Sequence, residues 1–127
     1  MIVTIPASAG ELFDKLTILQ IKSERIEDPE KRARVAVERA ALDQVAATVP
    51  ISAALEAHRI GLLEVNVRLW EVEDDIRELE RTQDFGPRFV QLARSVYRTN
   101  DERARIKKLI DLLLGSQITE EKSYRPY

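Results

Sequence analysis

The feature that most constrains this chain is a three-four alternation through its middle third. Eight positions from Leu55 to Leu79 follow this spacing, and His58 is their only polar member. Such spacing places a continuous apolar seam along one side of an α-helix. It predicts a helix from Ser52 to about Thr82, roughly 45 Å long at 1.5 Å per residue. That is longer than a compact domain of this size needs, so we expect a homo-oligomer, with a dimer favoured.

Local start signals predict two shorter helices before this one. The segment Ser8-Ala9-Gly10-Glu11 predicts a capping box, in which the serine hydroxyl accepts from the glutamate amide and the glutamate carboxylate reaches back. Asp28 followed by Pro29 predicts the cap and the first position of a second helix, which extends to about Thr48. The thin apolar stripe of this second helix predicts a place on the outer side of the bundle.

A fourth helix completes the predicted fold. Pro87 predicts its start and Gly115 its end. The sequence therefore predicts one all-α domain over residues 1–127, an antiparallel bundle of about four helices with a long central helix. Residues 116–127 are expected to form a polar C-terminal tail. The N-terminus is short and extended, and its β-prone residues 2–5 either add an edge strand or lie across the bundle.

Charge and cysteine content narrow the functional classes. Twenty Lys+Arg against 22 Asp+Glu give a formal net charge of −2, so no overall field attracts nucleic acid or an anionic membrane. We expect neither as a partner. The absence of cysteine removes thiolate metal sites and a cysteine nucleophile, and it fits a reducing cytoplasm. No export signal and no apolar run of about 18 residues is found, which also predicts a cytoplasmic location.

A line of polar side chains beside the seam contains the only tryptophan. Asn66, Trp70, Glu73 and Arg77 follow one another at steps of three and four on the third helix. The fourth helix carries a matching line, and the two lines would enclose a polar pocket with an aromatic wall if they face each other. The residues predicted to bind a ligand there are Asn66, Trp70, Glu73, Asp74, Arg77, Arg94, Tyr97, Asn100, Asp101, Arg103 and Lys107.

The chemistry of this pocket stays open between three interpretations. Its four basic residues would hold a phosphate or carboxylate if the two helices are antiparallel. The neighbouring carboxylates of Glu73 and Asp74 could ligate Mg²⁺ or Ca²⁺, but the fourth helix adds few more. No metal site is therefore predicted, and the cofactor stays unknown. The structural interpretation is that Glu73 and Arg77 form an ordinary ion pair along one helix. On the first helix, Glu11, Asp14, Lys15 and Lys22 are expected on a solvated face with some interhelical pairing.

Motifs spread over nearly the whole chain are similar to those of one known family. They are Gly10-Glu11-Leu12-x-Asp14-Lys15-Leu16-Thr17, Asn66-x-x-Leu69-Trp70-x-x-Glu73-Asp74-x-x-Arg77, Asn100-Asp101-x-Arg103-Ala104-x-Ile106-Lys107 and Glu120-Glu121-Lys122-Ser123-Tyr124. Together they resemble a family of bacterial helical proteins of unknown function. In that family the domain stands alone or occurs near glycosyltransferase and other cell-surface polysaccharide genes. The resemblance implies this context and a shared ligand or assembly surface, but no reaction.

Two hypotheses on function follow. The leading one is a non-catalytic, homo-oligomeric helical module linked to cell-surface polysaccharide synthesis, which binds an anionic small molecule or a protein such as a glycosyltransferase. The alternative is a metal-dependent enzyme that acts on a phosphorylated or nucleotide-sugar substrate. Glu73 and Asp74 would then be metal ligands or a general base. The sequence leaves open whether the chain is an enzyme.

Overall fold

Four helices make up the regular structure of the computed structural model, which describes residues 1–127. They are α1 (Ala9–Arg25), α2 (Pro29–Ala46), α3 (Ala53–Arg81) and α4 (Pro87–Leu114). The predicted all-α bundle with a long third helix is confirmed, and the helices end within a few residues of their predicted limits. Residues 2–5 form no strand and are exposed. None of the helices is both long enough and apolar enough to cross a membrane.

The helix limits were predictable because local groups set them. Ser8, Asp28 and Ser52 each use a side-chain oxygen to accept a backbone amide hydrogen bond of 3.1 to 3.2 Å at the start of α1, α2 and α3. α4 begins instead at Pro87, whose fixed φ suits a first helical position. It ends at Gly115, whose φ of 63° lies in the left-handed region that favours glycine.

The predicted capping box at the start of α1 is only half formed. Ser8 Oγ accepts from the amide of Glu11 at 3.1 Å, as predicted. The Glu11 carboxylate does not reach back, however, and accepts from Lys107 Nζ of α4 at 2.8 Å. An ammonium group gives a carboxylate a stronger, charge-assisted hydrogen bond than a backbone amide does. Glu11 therefore binds Lys107 of α4 instead of a backbone amide at the start of its own helix.

Three helices form the core and the fourth lies outside it. α1 packs against both α3 and α4, which form an antiparallel hairpin, whereas α2 packs against α1 alone. Hydrogen bonds link Gly10 to Asp111 and Asp14 to Arg103, so α1 runs antiparallel to α4. Phe13 and Asp14 in the first half of α1 contact Arg59 and Asn66 of α3. Arg25 at the end of α1 contacts Glu71, farther along α3. The two helices therefore run parallel.

The seam of α3 faces the core, but its burial decreases along the helix. Leu55, Leu62 and Val65 are buried, while the four later members of the seam are half-buried. The reason is that α1 ends near Glu71, to which Arg25 forms an ion pair at 3.3 Å. Beyond this point only α4 lies beside α3. The buried residues of the main apolar cluster are Phe13, Leu16, Leu55, Leu62, Val65, Ile106 and Ile110.

α2 occupies the outer position that its thin stripe predicted. It has no fully buried residue, and Leu42 and Ala46 pack against the core from its C-terminal half. Val37 and Val45 remain 68% and 51% exposed. α2 thus covers one side of α1 and leaves part of its own apolar surface to solvent.

Gly10 provides a test of the close approach between α1 and α4. A Cβ atom at this position would lie 2.3 Å from the backbone oxygen of Lys107, and backbone cannot give way without moving the helix. We predict that Gly10→Ala lowers the free energy of unfolding by about 1–3 kcal/mol, the usual range for overpacked sites. Urea unfolding followed by circular dichroism measures this change.

The matched control is Gly61→Ala in α3. Its Cβ would lie 3.4 Å from Ile106 Cδ1, an ordinary contact with the flexible end of a side chain. Alanine is also favoured over glycine inside a helix by roughly 0.5–1 kcal/mol. We therefore expect Gly61→Ala to leave stability unchanged or to raise it. Equal losses in the two variants would contradict the close approach at Gly10.

Candidate functional site

A cluster of polar side chains joins α1, α3 and α4 around the carboxylate of Asp14. Asp14 Oδ1 accepts from Asn66 Nδ2 at 2.9 Å and from Arg103 Nε at 2.8 Å, and Oδ2 accepts from Arg103 Nη2 at 2.5 Å. Asn66 Nδ2 also donates to Thr17 Oγ1 at 2.8 Å. The guanidinium thus grips the carboxylate with two parallel hydrogen bonds. One acidic side chain of α1 thereby connects all three core helices.

The environment of Asp14 makes this pairing necessary. Asp14 is 0% exposed, and a buried charge is costly unless it is paired and hydrogen-bonded. The hydrogen bond with Asp14 raises the pKa of Arg103 despite partial burial, which acts in the opposite direction. No buried side-chain nitrogen or oxygen lacks a hydrogen-bond partner. The cluster is therefore a polar network in which the buried groups have partners within the chain.

Lys107 extends this network towards the C-terminal tail. Its side chain is 10% exposed, and its Nζ donates to Glu11 Oε2 at 2.8 Å and to Glu120 Oε2 at 2.5 Å. Burial lowers the pKa of Lys107, but the hydrogen bonds with the two glutamates outweigh it and the pKa lies above its usual value. The same contact lowers the pKa of Glu120. Lys107 thus bridges α1 and the tail with a full positive charge.

A second buried carboxylate, that of Asp111, lies at the start of α1. Asp111 is buried, and its Oδ1 accepts from the amide of Gly10 at 2.6 Å. The next free amide, that of Ala9, donates to Ser116 Oγ at 3.2 Å. The first amides of a helix have no partner within it and carry partial positive charge. Asp111 of α4 and Ser116 after it thus provide acceptors for two free amides at the N-terminus of α1.

The polar tail over residues 116–127 has no helix and turns back along α4. Its two glutamates bind neighbouring lysines of α4. Further on, Tyr127 Oη donates to Asp101 Oδ2 at 2.7 Å, and the Tyr127 ring packs against Tyr97 with centroids 5.1 Å apart. The contact with Asp101 raises the pKa of Tyr127. The tail therefore covers about three turns of α4 beside the cluster.

The structure brings only some of the predicted ligand-binding residues together. Asn66, Arg103 and Lys107 lie in the polar network. Tyr97 and Asp101 lie under the end of the tail. These five side chains therefore have partners from within the chain.

Four others lie apart from the network and are exposed. Arg77 forms an ion pair with Glu73, four residues before it, as the structural interpretation predicted, and Asp74 and Arg94 face solvent. No group of three or more histidine, aspartate or glutamate side chains is arranged to hold a metal ion. Glu73 and Asp74 thus have no third ligand beside them.

Trp70 and Asn100 remain, and both are half-buried. Trp70 follows Asn66 by about one helical turn, and Asn100 precedes Arg103 by about one turn. Because α3 and α4 are antiparallel, both positions lie beyond the network in the same direction, towards the connection between α3 and α4. We call Trp70 and Asn100 the open edge.

The contribution of α1 to the network was not predicted from the sequence. Asp14 was expected on a solvated face, but it is buried and central, so that expectation was wrong. A signal was present, since Gly10, Asp14, Thr17 and Ile21 recur at steps of four, three and four. This row places Asp14 on the same side of α1 as buried Ile21. Asp111 lies on the matching line of α4, four residues after Lys107, but its partner at the start of α1 was not predicted.

Comparison with known proteins identifies one family. The model of a family of unknown function, DUF6165, matches residues 1–126. No curated protein and no solved structure matches the chain. The family match includes all four helices, the polar network and nearly all of the tail.

Arg103 provides a test of the buried ion pair. Arg103→Met would leave the Asp14 carboxylate buried without its cation, and we expect a loss of about 3–5 kcal/mol in the free energy of unfolding. The double variant Asp14→Asn/Arg103→Met removes both charges and keeps an acceptor for Asn66. It should recover part of the loss in urea unfolding.

The control for this test is Arg105→Met, which removes only an exposed pair with Glu102. We expect it to change stability far less, since exposed ion pairs contribute little. A loss for Arg103→Met no larger than that for Arg105→Met would contradict the role of the buried pair.

The contact between the Glu120 carboxylate and Lys107 can be tested by its dependence on pH. Its pKa is lowered from 4.5 by the hydrogen bond with Lys107, so its contact is complete above pH 4.5 and is lost as pH falls through the lower folded value. We predict that a carbon-13 titration of this carboxyl group has its midpoint below 4.5. Tail resonances should shift with the same midpoint. In Lys107→Met the midpoint should rise, and an unchanged midpoint would argue against the contact.

Proposed function

Because this chain belongs to DUF6165, a family of unknown function, its role has to follow from its own side chains, and we propose a non-catalytic helical binding module. The observation that supports the proposal is a contrast between paired charged side chains and half-exposed side chains beside them. The charged groups of the network are paired with one another. Trp70 and Asn100 lie half-exposed beside them. The paired groups support the open edge, and the open edge contacts the ligand.

The network favours binding over catalysis by its own side chains. A general base must be free to accept a proton, but Asp14 accepts three hydrogen bonds and is fully buried. The same bonds hold α3 and α4 in one register. Binding sites gain affinity when their side chains are fixed in advance by such supporting contacts. Trp70 and Asn100 each lie one turn from a residue that is fixed in this way.

The side chains of the open edge suit a sugar that carries a phosphate. Trp70 has an aromatic ring face, on which a sugar or nucleobase ring can stack. Asn100 has one acceptor and two donors. Arg94, one turn before Tyr97 and exposed, supplies a guanidinium for a phosphate or carboxylate. A nucleotide sugar or a phosphorylated sugar is therefore the ligand class that we propose.

The biological setting of the proposal rests on the resemblance of the sequence motifs. It is cell-surface polysaccharide synthesis in the cytoplasm, where nucleotide sugars are made, with a glycosyltransferase as a protein partner. The proposal includes a homodimer. Its support is that the later part of the α3 seam is only half-buried, and that apolar surface is left on several elements.

The sole tryptophan allows a direct test of ligand binding. Since Trp70 lies on the open edge, a nucleotide sugar such as UDP-glucose should change its fluorescence in a saturable way. We expect Asn100→Ala and Arg94→Ala to weaken the apparent Kd by at least about fivefold, the effect of roughly 1 kcal/mol. Inorganic phosphate, titrated separately, shows whether the phosphate alone is bound.

The matched control is Arg34→Ala, which removes an exposed arginine from α2 and should leave Kd unchanged. Arg103 is unsuitable as a probe, because its removal would leave Asp14 unpaired and destabilise the fold. Failure of UDP-glucose and of phosphate to change Trp70 fluorescence or the melting temperature would overturn this ligand class. Equal effects of Arg94→Ala and Arg34→Ala would remove the open edge as its site.

A further inference from the structure

One end of the bundle carries an apolar pocket. The starts of α1 and α3 and the ends of α2 and α4 meet there, and we call this end the base. The pocket has a volume of about 460 Å³, enough for more than one aliphatic side chain. Exposed Ile51 and Leu112 adjoin it in sequence. The residues that line the pocket are Ala9, Thr48, Val49, Pro50, Ser52, Leu113 and Leu114.

The N-terminal arm, residues 1–5, leaves the molecule at the same base. Its sequence Met1-Ile2-Val3-Thr4-Ile5 has no charged side chain. The four apolar side chains are between 71% and 115% exposed, although they are β-prone and strongly apolar. Isolated exposed apolar residues are ordinary, but a contiguous run of them marks an interaction site. The arm therefore lacks a partner of matching chemistry within its own chain.

The arm does not occupy its own pocket, since its apolar side chains are exposed. Ala9 lines that pocket, and only three residues separate it from the arm. Pro6 fixes its own φ and favours an extended conformation at Ile5. Ser8 is also extended, with φ −71° and ψ 155°. An arm of five extended residues reaches roughly 17 Å, which is long enough to contact a neighbouring molecule.

We infer that the N-terminal arm of each chain docks in the base pocket of a second copy. The inference rests on the homodimer of the proposed function and names its surface. Arm and pocket lie at the same end of one chain, so two copies packed base to base each give an arm and receive one. Such an exchange is self-complementary and closes with twofold symmetry.

The area of this contact suits a specific dimer. An exposed aliphatic side chain offers roughly 100 Å² for burial, so the four apolar side chains of one arm offer about 400 Å². The surface that receives each arm is smaller and adds about a quarter of this area. Two arms and two pockets together reach about 1,000 Å², the lower limit for a specific interface. The side chains of the arm carry no charge, and its only charge is the ammonium group of Met1 at the tip.

The first experiment compares the assembly of three chains by sedimentation velocity over a concentration series. We expect the full chain to form a dimer. A chain that lacks residues 1–5, and Leu113→Asp, which places a charge in the pocket, should each shift the dimer dissociation constant by tenfold or more. The matched control is Val90→Asp at the other end of α4, where the side chain is equally apolar and 51% exposed. It should dimerise like the full chain.

The second experiment uses the absence of cysteine from the chain. A chain with Ile2→Cys is mixed with a chain with Leu113→Cys under mild oxidation. A disulfide requires Cα atoms within about 7 Å, so arm exchange predicts a disulfide-linked heterodimer on a non-reducing gel. Ile2→Cys mixed with Val90→Cys should give none. The double variant Ile2→Cys/Leu113→Cys reports a link within one chain if the arm folds back.

The outcomes separate this inference from the proposed function. A dimer that persists without residues 1–5 leaves the homodimer standing and overturns arm exchange. A monomer at all concentrations overturns both the homodimer and arm exchange. The fluorescence result for the open edge is unaffected by this outcome. A link formed only within the double variant shows that the arm fills its own pocket, which also overturns the inference. Loss of the dimer together with the predicted heterodimer link supports it.

Discussion

The ion pair between Asp14 and Arg103 is the contact on which the rest of the structure depends. Asp14 is fully buried, so its charge is tolerated only where Arg103 and Asn66 both reach it. Aliphatic side chains in a helical core can often be exchanged or shifted at little cost. A carboxylate cannot, because a shift by one turn would leave it without its partners. The polar network therefore sets the register of α1 against the α3–α4 hairpin.

This assignment changes how the sequence motifs are interpreted. Five residues of the motifs shared with the family each have a structural role. They are Gly10, Asp14, Asn66, Arg103 and Lys107. Gly10 allows the close approach of α4, and the other four bind one another or neighbouring carboxylates. A motif residue is thus not automatically a ligand-binding residue. The open edge is distinguished because its side chains lie next to the network without being part of it.

The two ends of the chain differ in how they are held, and charge is the reason. The C-terminal tail carries glutamates that find lysines of α4 even in contact with water. The N-terminal arm has only apolar and uncharged side chains, which need a desolvated surface to gain free energy. The base pocket is such a surface, but the apolar side chains of the arm are exposed and do not fill it. The tail is therefore bound within its own chain, whereas the arm is exposed.

The sequence by itself determined the helices and the apolar faces that they bury, because caps, prolines and periodic spacing act over a few residues. It identified the polar line of α3 and the matching line of α4. Only the tertiary structure decided which parts of these lines meet a third helix, since periodicity shows which residues share a face but not which faces meet. Asn66 and Arg103 meet Asp14, whereas Glu73 and Arg77 pair with each other where α1 has ended.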